Sequence, residues 1–118
     1  MMINVNVMID DILKQLKNIK VVSYHPEEFN EIPVVSYYEI ASPTGFRADN
    51  QEWAQKSYIA IDIWAHSIGE CGEIAIEIDR IMQAEGWYRE MSRDIPPENN
   101  IYQKNMRFYK QIFFETEE

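Results

Sequence analysis

Few side chains in this sequence are of the types that do chemistry, and they are thinly spread. The histidines are His25 and His66, the cysteine is Cys71, and His66, Glu70 and Cys71 fall close together at the start of a helix. That spacing could gather an imidazole, a carboxylate and a thiol as metal ligands. A structural zinc, however, needs about four ligands in recognised spacings, and no second CxxC or HxxxH arm exists. His66 therefore reads as a turn histidine and Cys71 as a small buried hydrophobe. A thiol in a first helical turn can gain acidity from the dipole, but Cys71 lies on an apolar stripe that faces inward. Asp62 is the carboxylate of most interest, flanked by Ala60 and Trp64 on the non-core face of a strand. A buried charge there needs a partner, and Arg89 or Arg107 on neighbouring strands could supply it. A structural ion pair explains Asp62 more simply than acid catalysis, because nothing nucleophilic accompanies it. The pairs Glu27/Glu28 and Glu117/Glu118 read as solvated loop and tail. Gly69 and Gly72 flank a cap with no Lys-Ser/Thr pair after them, so they form no phosphate loop. These residues imply no catalytic group, no metal and no cofactor.

The elements that position them are clearest between Gln55 and Gly86. Ile59, Ile61, Ile63 and Ala65 alternate with Tyr58, Ala60, Asp62 and Trp64, the period-2 pattern of a strand with one face in a core. Ser67 and Glu70 then form a capping box: the Ser67 hydroxyl accepts from the Glu70 amide, and the Glu70 carboxylate reaches back to the Ser67 amide. Ile68, Cys71, Ile74, Ala75, Ile78, Ile81 and Met82 follow as one apolar helical stripe, and Gly86 supplies the left-handed residue that stops it.

The remaining chain arranges itself around that unit. Residues 4–18 predict a helix with Val5, Ile9, Ile12, Leu13 and Leu16 inward, Asn4 or Asn6 as cap, and an Asp10–Lys14 pair outward. Strands are predicted over 19–24 and 32–41, with Pro33 at a strand start or an edge. Residues 42–52 are the least structured stretch, a long turn-rich connection carrying Phe46 and bordered by Trp53. A fourth strand over 86–94 should stop at Ile95-Pro96-Pro97. A final strand over 102–115 should carry Tyr102, Met106, Phe108, Ile112 and Phe114 on one face, with a solvated tail after it. The fold class is then α+β: about five mainly antiparallel strands with two helices on one face, in the order α-β-β-β-α-β-β.

Composition narrows the class further. At 118 residues, 46% apolar and 26% charged, the chain fits one folded domain covering residues 1–118. No apolar run approaches the ~20 residues that span a membrane, and the N-terminus lacks the features of a signal peptide. A lone cysteine makes no internal disulfide and fits a reducing compartment. The net charge of −9, with scattered lysines and arginines, argues against dedicated nucleic-acid binding. What stands out is a surplus of aromatics. Tyr37, Tyr58, Trp64, Tyr109 and Phe113 all fall on the predicted outer sheet face, beyond what a core filled by isoleucines can take. Such a face resembles an oligomer or partner interface.

The pattern as a whole resembles the tail terminator and tail-completion proteins of long-tailed phages, which include head-to-tail joining proteins. The resemblance lies in the amphipathic first helix, the Pro33–Tyr37 strand, the loop after it, the Ile59–Ala65 strand with its Ser-capped helix, and the Gly86-Trp87 strand with its aromatic successor. It implies a virion structural protein, not an enzyme. That protein would form a six-subunit ring with itself on the tail tube, ending its growth and meeting the head connector. Its site would be the tail or neck of the virion, after assembly in the host cytoplasm, with DNA passing through without specific binding and no membrane partner. It also implies a loop near residues 41–55 that orders on assembly, with Phe46 and Trp53 as anchors beside Tyr58, Trp64, Tyr109 and Phe113. Two alternatives stay open: another neck or head-closure protein, and a small ligand-binding or enzymatic domain built on Asp62, Arg89 and His66.

Overall fold

The computed structural model describes residues 2–114. In chain order the elements are α1 (Val5–Leu13), β1 (Lys20–Ser23), β2 (Val34–Ala41), β3 (Arg47–Ala48), β4 (Gln51–Glu52), β5 (Ala54–Ala65), α2 (Ile68–Ala84), β6 (Tyr88–Glu98) and β7 (Ile101–Phe113). Five strands form one sheet in the order β1-β2-β5-β7-β6. All neighbours are antiparallel except β1 and β2. β5 is central because its alternating residues can be buried on both faces, and both helices lie on the side of Ile59, Ile61 and Ile63. This is the predicted α+β architecture.

Local chemistry explains the element ends. The Asn4 side chain caps α1 by accepting from the Asn6 amide at 3.2 Å. The helix proper ends at Leu13, earlier than expected, but looser turns carry Leu16 into the core. The Asp10–Lys14 pair forms at 2.7 Å. At α2, Ser67 Oγ accepts from the Glu70 amide at 3.1 Å. The return arm differs from the expectation: Glu70 Oε1 takes the His66 amide at 2.8 Å, one residue further back than Ser67. Ile68, expected on the inward stripe, is instead exposed, because in the first turn it points away from the Cys71–Met82 face. The helix closes with the amides of Gly86 and Trp87 on the carbonyls of Gln83 and Met82, and Gly86 sits at φ +86°.

Two predicted boundaries fail for clear reasons. β6 continues past Ile95 through Pro96 and Pro97 to Glu98. It is an edge strand, where a missing N–H costs no ladder bond, and a bulge between Ile95 and Glu98 absorbs the proline pair. Asn99 and Asn100, at φ 53° and 62°, then make the tight hairpin turn into β7. The stretch between β2 and β5 is not irregular either. Its backbone pairs across itself through Gly45–Ala54 and Phe46–Trp53 and ends in the small β3–β4 hairpin, turned by Asp49 and Asn50 at φ 53° and 61°. The expected tail, including Glu117/Glu118 and the end of the last strand at Glu115, lies outside the described residues.

Candidate interaction face

The sheet has a second face, away from the helices, and its residues are set by register. Tyr58 on β5 lies opposite Tyr109 on β7, and Tyr109 lies opposite Tyr88 on β6. The three rings stack in a row across the strands, with centroids 5.9 Å and 5.5 Å apart. Cross-strand aromatic pairs of this kind stabilise the sheet and at the same time present a flat surface. Tyr88 remains 64% exposed. Nearer the β1 edge, Tyr24 and Tyr38 stack at 5.5 Å.

The next rows are polar, then aromatic again. Ser36, Asp62 and Asn105 lie in register across β2, β5 and β7, and all three are buried. Asp62 Oδ1 accepts from Asn105 Nδ2 at 2.9 Å and from Gln103 Nε2 at 3.1 Å. The expected ion pair of Asp62 with Arg89 or Arg107 is therefore replaced by bonds from two neutral amides. Arg89 points to the helix side, because it lies opposite Phe108, and there it bonds Asp79 of α2 at 3.1 Å. Arg107 lies opposite Ala60 on the outer face and is exposed. One row further, Trp64 is only 5% exposed, with the edge of His25 at 5.2 Å and Phe29 at 5.6 Å. The loop after β1 folds over this end of the sheet. Trp64 is thus covered within its own chain, and its assignment as an open interface residue is corrected.

Tyr37 also departs from expectation. It faces the helices, 6% exposed, and donates its hydroxyl to Asp10 Oδ1 at 3.0 Å. Burial, with the Asp10 carboxylate beside it, pushes its phenol up to about 12. At the far end, Trp53 is half-buried and donates Nε1 to the Ala48 carbonyl at 3.2 Å, so it holds the β3–β4 hairpin. Phe46 and Phe113 remain free at that end, 49% and 62% exposed. Of the six expected interface residues, Tyr58 and Tyr109 share one open platform, Phe46 and Phe113 are exposed elsewhere, and Trp53 and Trp64 serve their own chain.

The groups that could do covalent or metal chemistry stay apart. Cys71 is 1% exposed, and its thiol lies 3.4 Å from the Tyr102 carbonyl. Burial, then the carboxylates of Asp94 and Glu70, push its pKa up, which is the reverse of what a nucleophile needs. His66 Nδ1 lies 3.0 Å from Glu70, and the His66 amide holds the Glu70 carboxyl below its ordinary value. Among the described residues no group of three or more His, Cys, Asp and Glu could hold a metal ion. Nor is any helix among them long and apolar enough to cross a membrane.

No family model matches the sequence, and no curated protein matches it at a significant level. Function rests on the geometry. Sequence reasoning missed Tyr88 and the Tyr24–Tyr38 stack in that geometry. The alternation of β6 was visible, but only the pairing of Tyr88 with Tyr109 shows which face it joins.

Proposed function

We propose that this chain is a structural protein of a long-tailed phage particle, a tail terminator that caps the tail tube as an oligomeric ring and joins it to the head connector. The carrying observation is the tyrosine platform of Tyr58, Tyr109 and Tyr88, left uncovered on the sheet face opposite both helices. A flat aromatic face of this kind suits protein docking better than it suits solvent. The α+β order supports the same reading, since the resemblance implies it, and Phe46 offers an exposed contact at the far end of the sheet. The molecule is elongated, 54 × 25 × 23 Å, so its two ends can touch different neighbours in a ring. Its partners in this reading are further copies of itself, the tail tube and the head connector. The test is electron microscopy of lysates in which the encoding gene is inactivated. Filled heads and separate tails are expected, the tails with unregulated length or bare ends. Intact joined particles would overturn the proposal.

A further inference from the structure

Charge is distributed unevenly between the two sides of this molecule. On the outer sheet face, Lys56, Arg93 and Arg107 lie in line with the tyrosine platform: Lys56 two residues before Tyr58, Arg107 two before Tyr109, and Arg93 opposite Asn105. None of their three side chains has an ion-pair or hydrogen-bond partner among the described residues. Of the acidic side chains near them, Asp62 is buried and taken by amides, and Glu90 stands exposed in the β6 bulge beside Met91, against three cations. A chain of net charge −9 thus carries free positive charge on its aromatic face.

The opposite side is its complement. The solvent side of α2 exposes Ile68 (60%) and Ile76 (74%), with Gly72 between them in open space. These three lie four residues apart, so they form one stripe along the helix. Beside the stripe, Glu73 is exposed and unpaired among the described residues; of the other acidic residues of α2, Glu77 is held by Arg80, Asp79 by Arg89 and Glu70 by His66. Two large exposed isoleucines beside Glu73 have nothing among the described residues to cover them.

We infer that the outer sheet face of one copy docks on the exposed α2 stripe of a second copy, with Ile76 against the tyrosines and Glu73, together with Glu77 exchanged from its Arg80 pair, toward Arg93 and Arg107. Charge complementarity selects this occupant. Two sheet faces would set positive against positive, and two helices would set negative against negative. A nucleic-acid strand would meet the tyrosines favourably but would be repelled by the rest of so acidic a chain. One chain cannot satisfy itself, because the two surfaces lie on opposite sides of a two-layer fold. The contact is therefore head-to-tail, and repeated head-to-tail contacts close into a ring when the rotation permits. The inference rests on the proposed function only for its setting in a ring.

The test uses two variants of the full chain, one with Arg93→Glu and Arg107→Glu, the other with Glu73→Lys and Glu77→Lys. All four positions are at the surface, and the Glu77–Arg80 pair that the second variant breaks is an exposed i, i+3 pair of small worth, so both variants should fold and melt close to the wild type. Sedimentation should show wild-type self-association, weakened at least about tenfold in each variant alone. An equimolar mixture should recover it, since each variant then offers the other a complementary face. Such recovery distinguishes a specific docking from general charge effects. A wild-type chain that stays monomeric, a variant that associates as well as wild type, or a mixture that fails to recover would each overturn the inference. So would binding of a single-stranded oligonucleotide that Arg107→Glu abolishes while self-association is unchanged. If the gene-inactivation experiment fails but the mixture recovers, the interface stands and only its setting in a tail ring falls.

Discussion

The two faces of β5 are both buried at their centre, by different means. On the helix side, Ile59, Ile61 and Ile63 are fully buried under α1 and α2 together with Met106 and Phe108. The packing there is almost wholly apolar, with the Tyr37–Asp10 bond at its margin, and its stability follows apolar area. On the outer side, Asp62 is buried only because Asn105 and Gln103 donate to it, and Trp64 only because His25 and Phe29 cover it. Beyond these residues the outer face opens into the tyrosine platform, which nothing among the described residues covers. The helix side is the part that folds the molecule, and the outer side combines a local seal with a surface free to meet a partner.

The contrast can be broken most strongly from the helix side. Ile61→Ala should lose about 4 kcal/mol in chemical denaturation, since a fully buried side chain leaves a cavity between sheet and helices. Trp64→Ala should come next, at about 3 kcal/mol, because its covering loop is shallower than the helix layer. That outcome places Trp64 in the fold. An unchanged stability would return it to the open face. Asp62→Ala removes the acceptor for two amides and should cost about 2 kcal/mol, whereas Asp62→Asn, which keeps one acceptor oxygen, should cost less.

Tyr37→Phe should cost about 1 kcal/mol near neutral pH by removing the bond to Asp10. It also changes the alkaline limb. The folded phenol is raised above its ordinary 10.0 to about 12, so its contribution is complete below pH 10 and is lost as pH rises toward 12. Wild type should therefore lose stability across that window more steeply than the phenylalanine variant. Glu70 acts in the opposite direction: its carboxyl is held below 4.5, so its contribution is present above that pH and fades as pH falls through the lowered value. The smallest effect on stability, under about 0.5 kcal/mol, should come from Phe113→Ala at the exposed end.

Most of the fold was legible because its signals are local. The alternation around Ile61, the Ser67 cap, the α2 stripe and Gly86 each report a period or a backbone conformation within a few residues. What stayed hidden depends on register and neighbours. Pro96 and Pro97 read as a stop, yet β6 is an edge strand that tolerates them. Asp49-Asn50 and Asn99-Asn100 carried the turn signal for both hairpins, but only the second lay between obvious strands. Tyr37 sits on the helix side because Val35 and Ile61 are its neighbours there, a parity that a run of apolar and aromatic residues does not reveal. The partners of Asp62 were likewise out of reach, since Gln103 and Asn105 are distant in sequence and resemble ordinary surface amides.

The most direct measurement of the central claim, that the outer face is an assembly surface, is the native mass of the purified chain across a wide concentration range. Wild type should rise from monomer to a closed multiple that images as a ring, and Tyr109→Ala should shift that rise to at least about tenfold higher concentration with the fold intact. A single monomeric mass at every concentration, or an assembly indifferent to Tyr109, would contradict the account.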